Sequence, residues 1–365
     1  MADKNFISPL TGVRALCVYL IFFKHFDMGW KDQLPHLYLL LNQFYIFLSP
    51  FFVLSGFLIY YKYSATKSFD RKTIYNYIVS RITRVFPILL ILVSISFSLA
   101  YREGIYNAAE CIKIYLLNIT LIKGFSSVYF LTGIGPSWSM SVEELFYILA
   151  PFIFFLVRKK TDLLKLVLFF YSVGLLITLI FHYVPAGGFF SDNNFLFNYT
   201  FFGRVFEFAC GITLGMMLKG KSSFIKKKLS GKFALYAGAA LVIACVISLY
   251  WISSNYNVDE AKQLWGGIFV VNICMPIGTV LVFYSLIYQK SLLQRFLGSR
   301  LMVELGNSTY SFYLLHTSFL ISWIYKFISK DTFVVFGVVV IIAYAFHKLV
   351  EQPLANGLRK HLYKK

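Results

Sequence analysis

Arg14 and His25 stand eleven residues apart in one apolar stretch, Arg14-Ala-Leu-Cys-Val-Tyr-Leu-Ile-Phe-Phe-Lys-His25. An α-helix turns about 100° per residue, so eleven residues return to within roughly 20° of the start and climb about 16 Å. Both side chains therefore share a helix face. Ionisable groups in a membrane span are costly and mark function. A guanidinium at one edge and an imidazole deeper on the same face suggest an anionic ligand at the rim and proton chemistry further in.

Four more sets of residues are spaced for chemistry. Arg81 and Arg84, three apart, share a helix face, and guanidinium forks match phosphate oxygens. Two arginines at a helix mouth can also simply set topology. Pro136-Ser137-Trp138-Ser139-Met140-Ser141-Val142-Glu143-Glu144 opens a helix. Its serines and carboxylates can form a cap, and the depth of Glu143 also allows a pair with His25. Arg204 and Glu207 are three apart, which allows an intrahelical ion pair, the least costly way to bury both. In Gly306-Asn307-Ser308-Thr309-Tyr310-Ser311-Phe312-Tyr313-Leu314-Leu315-His316, the imidazole lies near mid-membrane with hydroxyls beside it, as a structural histidine or a site residue. Glu351-Gln352-Pro353 reads as a helix terminator, and His36, His182 and His347 receive no role.

The elements that must position these residues are membrane helices. The chain is 58% hydrophobic and only 14% charged, and it has no polar half that could form a separate soluble domain, so 1–365 reads as one integral membrane unit. Apolar stretches long enough to cross a bilayer cover about 11–29, 37–61, 80–101, 138–157, 163–183, 198–219, 233–252, 265–288, 304–327 and 332–354. The expected fold is all-α, a polytopic helical bundle of about ten spans. Segment 104–137 holds only a short apolar piece and is expected to be re-entrant or interfacial. The first helix lacks a small-residue cleavage site and reads as a retained span.

The net charge of +19 is topological. Lys and Arg cluster at 62–84, 158–165, 219–232, 290–300 and 359–365, which are alternate loops. The positive-inside rule makes those loops cytoplasmic, with both termini on the same side, and leaves no case for a nucleic-acid partner. The five cysteines are scattered in apolar segments, implying neither a disulfide framework nor a metal site.

Taken in order, the motifs resemble acyltransferase family 3, the integral membrane O-acyltransferases. The matching points are Leu10-Thr11-Gly12-Val13-Arg14-Ala15-Leu16 leading to His25, Phe51-Phe52-Val53-Leu54-Ser55-Gly56-Phe57, and Arg81-x-x-Arg84-x-x-Pro87. Ser137-Trp138-Ser139-Met140-Ser141-Val142-Glu143, Glu207-Phe208-x-x-Gly211 and Gly306-x-Ser308-x-Tyr310-Ser311-x-Tyr313-x-x-His316 follow. Each is weak alone; six in the family's order span nearly the whole chain.

The resemblance implies a bacterial cytoplasmic (inner) membrane enzyme. It would take an acyl group from cytoplasmic acyl-CoA, commonly acetyl-CoA, to a hydroxyl of an envelope polysaccharide such as lipopolysaccharide O-antigen, or of a lipid-linked sugar. Arg14 and His25 match the family's key pair, and Arg81 and Arg84 its paired arginines. His25 would then deprotonate the acceptor or carry the acyl group itself. Glu143 would orient His25 or stabilise its cation. Tyr310 and His316 would line the pocket or steady the oxyanion, with Arg204, Glu207, Ser137 and Ser141 as further pocket candidates. Some members append a soluble hydrolase-like domain, which is not expected within this chain. Rival readings are a ten-helix transporter or flippase, a structural subunit of an envelope assembly, and an acyltransferase using succinyl-CoA or a small-metabolite acceptor.

Overall fold

The computed structural model describes residues 7–26, 30–63, 71–157, 159–184, 186–219 and 230–363. Parts of the basic clusters, namely 64–70, 158, 220–229 and 364–365, lie outside the described residues. The described chain is all-α; its β-structure amounts to an isolated bridge between Ser126 and Phe189.

Among the described residues, eight helices are long and apolar enough to cross a membrane: Pro35–Tyr63, Arg71–Arg102, Gly135–Leu156, Thr161–Tyr183, Asn193–Leu218, Gly231–Tyr256, Trp265–Tyr288 and Thr332–Leu362. Several are apolar all round, with Phe152, Phe155, Leu168 and Trp251 all exposed. Such surface is stable only against lipid, so the protein is a multi-pass membrane protein.

Two of the ten expected spans depart from that standard for physical reasons. Ser8–His25 is a single helix of 18 residues, but Arg14, Lys24 and His25 make it too polar for the criterion. The expected 304–327 span is three helices, Arg300–Asn307, Thr309–Leu315 and Phe319–Phe327. It breaks at Ser308 and again at His316–Ser318, where the Ser318 hydroxyl donates to the Leu315 carbonyl and accepts the Leu320 N–H. Interrupted backbone at membrane depth is tolerated where protein buries it, and Ser308, Thr309, Ser311 and His316 are all buried. Ala108–Ile119, in the expected re-entrant segment, has 12 residues, about 18 Å, against about 30 Å of hydrocarbon.

The chain divides into two units. The first draws on Met1–Ala65, Ile153–Val173 and Phe202–Asn307. There the Ser8–His25 helix packs Leu10, Val13 and Cys17 into a core with Phe57, Leu214 and Phe283. Gly12 lies against the Leu297 carbonyl and Gly306 against the Thr11 carbonyl, approaches that any Cβ would block. This backbone contact fixes the Arg14 end of the helix.

The second unit draws on Thr66–Phe152, Gly174–Phe201 and Ser308–Lys365. Its longest element, Arg71–Arg102, has 32 residues and contains Pro87, which deprives the Thr83 carbonyl of its helical partner. At the far end of the chain, Arg359 Nε reaches back to the Thr83 hydroxyl at 3.2 Å. Thr332–Leu362 also carries a π-turn at His347–Glu351, a device that re-aims side chains.

Candidate functional site

The first unit holds Arg14, His25, Arg204 and Glu207. Arg14 is half-buried and His25 is exposed at the last position of its helix, after which Phe26 turns extended. The His25 ring is anchored through Nδ1 to the Ile21 carbonyl at 3.1 Å. A carbonyl only accepts, so Nδ1 carries the hydrogen and the basic lone pair of the neutral ring lies on Nε2. A neutral imidazole in this tautomer carries its basic nitrogen at Nε2.

Beside His25, Lys24 Nζ pairs with Glu260 Oε1 at 2.7 Å, and Lys262 Nζ pairs with Glu260 Oε2 at 2.9 Å. Burial alone would raise the Glu260 carboxyl, but the charges of Lys262 and Lys24 outweigh it and bring the pKa to about 2. The loop that carries Glu260 is tied down by Gln43. Its Nε2 donates to Ser253 Oγ and the Asp259 carbonyl, while its Oε1 accepts the Ala261 N–H. Sequence reading missed this cluster because Lys24 and Glu260 are remote in the chain.

Arg204 and Glu207 form the intrahelical ion pair that their spacing allows. Nε and Nη2 of Arg204 meet Oε2 and Oε1 of Glu207 at 2.7 and 2.8 Å. The guanidinium also covers the Phe52 ring at 5.3 Å, and the pair is 3% and 0% exposed. Gly211, one turn on, abuts the Val53 backbone, which accounts for the two glycine-bearing motifs Phe51 to Phe57 and Glu207 to Gly211.

The second unit holds Arg81, Arg84, Ser137, Ser141, Glu143, Tyr310 and His316. Arg81 and Arg84 were expected at the mouth of a helix beginning near residue 80. The helix begins at Arg71, so both lie more than two turns inside it. Arg81 packs over the rings of Tyr77 and Tyr147, 5.8 and 5.2 Å from guanidinium carbon to centroid. Glu143, expected to serve His25, accepts the Tyr147 hydroxyl at 3.1 Å within its own unit. Its neighbour Glu144 lies within electrostatic reach of Glu143, Arg81 and Arg84.

The serines before this pair hold the loop. Ser137 donates to the Ile134 carbonyl and Ser141 to the Leu121 carbonyl, and both are buried. Lys123, which sequence reading passed over, is fully buried and donates to the carbonyls of Thr132 and Ile134 at 2.6 and 2.9 Å. Burial lowers its ammonium to about 7. Tyr310 donates to the Val85 carbonyl at 2.6 Å. His316 is anchored through Nδ1 to the Tyr313 carbonyl at 2.8 Å and stacks on Phe312. These two tyrosine and histidine contacts brace the interrupted helix segment against its surroundings.

The arrangement offers an exposed, tautomer-fixed imidazole in one unit and an arginine pair framed by tyrosines and carboxylates in the other. A family model described as an acyltransferase domain, that of acyltransferase family 3, matches residues 8–348. O-acetyltransferase OatA of Staphylococcus aureus strain NCTC 8325 is 23% identical over 337 residues, covering 87% of this chain and 51% of its own. The same protein from strains COL and MRSA252 gives the same values. The chain thus spans about half the length of the curated relatives it matches. No solved structure matches.

Proposed function

Because this chain belongs to acyltransferase family 3, we propose that it is a membrane O-acetyltransferase that moves an acetyl group from cytoplasmic acetyl-CoA to a hydroxyl of an envelope polysaccharide. The observation that carries this reading is the Ser8–His25 helix inside the family match, with His25 exposed at its end and Nδ1 anchored to the Ile21 carbonyl. The relatives are O-acetyltransferases by name, which favours acetyl over succinyl transfer to oxygen. The chain would reside in the bacterial cytoplasmic membrane with both termini inside, as the alternate basic loops require.

The chemistry follows from the anchored ring. His25 Nε2 takes the proton of the acceptor hydroxyl as its oxygen attacks the thioester carbonyl. A carbon–oxygen bond forms and the carbon–sulfur bond breaks. The departing thiolate then recovers the proton from the imidazolium, which returns neutral His25. A second route runs through an acyl-imidazole on the same nitrogen. Arg14, about 16 Å along the same helix face, contacts the anionic part of the donor, a span that the pantetheine arm can cover. Arg81 and Arg84 bind its phosphates as charge-assisted pairs. CoA is the leaving carrier, and no metal takes part in this reading.

The test is acetyl transfer by the full chain in lipid nanodiscs, with labelled acetyl-CoA and isolated envelope glycan. Label is expected in the glycan, as an alkali-labile ester. His25→Ala should lower turnover by at least about 100-fold with insertion and folding intact. Near-normal turnover in that variant would remove His25 from the chemistry.

A further inference from the structure

Within the second unit, two guanidinium and two carboxyl groups lie near the rings of Tyr147 and Tyr310. Arg81 covers Tyr147, the Tyr147 hydroxyl donates to Glu143, and Glu144 faces Glu143, Arg81 and Arg84. Tyr310, from Thr309–Leu315, faces the same set through Glu144, Arg84 and Glu143, and also faces Glu351. Glu351 is itself answered by the Ser311 hydroxyl at 2.6 Å and by His347 Nδ1 at 3.0 Å. Arg359, on the same C-terminal helix, meets the Thr83 hydroxyl. In this neighbourhood Glu144 Oε1 is fully buried and has no hydrogen-bond partner among the described residues.

The charges of this set decide what a ligand must bring. With both carboxyls ionised, Glu143 and Glu144 offset the two positive charges of Arg81 and Arg84. A diphosphate adds two negative charges. Unbalanced charge is expensive where water is scarce. Guanidinium groups stay charged, so a carboxylate must be neutralised for the phosphates to claim the arginines. Glu143 already accepts a hydroxyl hydrogen from Tyr147, whereas Glu144 has a buried oxygen with no donor. A proton on Glu144 removes the excess charge and makes that oxygen neutral, which lowers the cost of burying it.

We propose that Glu144 is a further residue of the donor site, and that it takes up a proton when the diphosphate of the acyl donor engages Arg81 and Arg84. The proposal rests on the assignment of those arginines to donor binding. It makes the acidic pair an internal stand-in for the phosphates: it holds the arginines until the donor arrives, then gives them up with one proton. Donor affinity is thereby coupled to pH through a residue that contacts no reacting atom.

The test uses the full chain in nanodiscs and dephospho-CoA as the probe, since it lacks the 3′-phosphate that titrates near neutrality. Calorimetry in buffers of different ionisation enthalpy counts protons taken up on binding. Wild type should take up close to about one proton, with Kd rising by up to about tenfold per pH unit on the alkaline side. Glu144→Gln should take up none and hold a pH-independent Kd near the wild-type low-pH value. Glu143→Gln should keep the uptake. Equal uptake in wild type and Glu144→Gln, or uptake lost only in Glu143→Gln, overturns the proposal while leaving the donor site standing. Zero uptake by wild type overturns it without any variant. Wild type that shows no saturable binding overturns the donor-site assignment itself, and this proposal with it.

Discussion

Two arginine–glutamate sets sit in this molecule, one in each unit, and they are built on opposite plans. Arg204 and Glu207 close on each other inside one helix, with two short hydrogen bonds, a ring beneath the guanidinium and almost no exposure. Arg81 and Arg84 are partly exposed and lie within electrostatic reach of Glu144 on another helix; Arg81 covers tyrosine rings, and Glu144 Oε1 is left without a donor. The first set closes on itself within one helix, as a structural ion pair does. The second, with both carboxyls ionised, is balanced in charge but not in hydrogen bonds, which is the condition of a site that expects something more. Both sets are made of arginine and glutamate, and each contains a three-residue spacing. What separates them is whether the partner lies on the same helix.

That contrast predicts different losses. The largest belongs to the closed pair. Arg204→Ala leaves Glu207 charged and buried, which should cost about 3–5 kcal/mol. Thermal unfolding in detergent should show the loss, and Arg204→Met with Glu207→Leu should recover most of it. A single variant of near-normal stability would break the comparison. The open set should behave in reverse. Arg81→Ala with Arg84→Ala removes two charge-assisted contacts worth about 1.5–3 kcal/mol each. The loss should appear chiefly in acetyl-CoA affinity, measured by equilibrium binding, with a smaller fall in thermal stability than Arg204→Ala shows. Unchanged affinity together with lost stability would put both sets in the same structural class.

The contrast also marks how far the chain could be read without its fold. The Arg204–Glu207 pair was legible because a three-residue spacing is a local fact. Most helices were legible too, since the period and length of apolar runs are local, and the short Ala108–Ile119 helix was marked by its length alone. The meeting of Glu144 with Arg81 and Arg84 is a tertiary fact, fixed by packing that no spacing encodes. The start of the helix that carries the arginines was placed too late for a related reason. Residues 71–79 include Arg71, Lys72, Asn76 and two tyrosines, so they lack an apolar run, yet they continue the helix. The break at Ser308 was invisible because serine is tolerated in a helix and interrupts one only when its surroundings answer the backbone.

Lys123 extends the closed class to a single buried amine. Its Nζ answers two backbone carbonyls and has no access to water, so Lys123→Met should lower stability by about 1–3 kcal/mol and leave donor affinity unchanged. The sign of its pH dependence is specific. Folding lowers this group from its ordinary 10.5 to about 7. Between those values the unfolded chain binds the extra proton, so stability rises with pH across that window. The advantage of wild type over Lys123→Met should therefore widen from about pH 7 toward about pH 10. An advantage that is flat or narrows would mean that the buried amine is not held neutral.

Glu260 is the weakest member of the closed class, and it shows why burial sets the scale. It is answered by Lys24 and Lys262 as fully as Glu207 is by Arg204, but the three side chains are 11–19% exposed. Water competes for all of them, so Glu260→Gln should cost only about 1 kcal/mol. Folding depresses this carboxyl from its ordinary 4.5 to about 2, so its contribution is present above 4.5 and is lost as the pH falls toward 2. Acid unfolding of wild type and Glu260→Gln should therefore converge at the bottom of that window and separate above it. The variant also isolates what the salt bridge does for its neighbour, because Lys24 precedes His25 at the end of the helix. If closure serves stability alone, turnover per folded molecule stays at the wild-type value. A fall in turnover with stability intact would move Glu260 out of the closed class and into the positioning of His25.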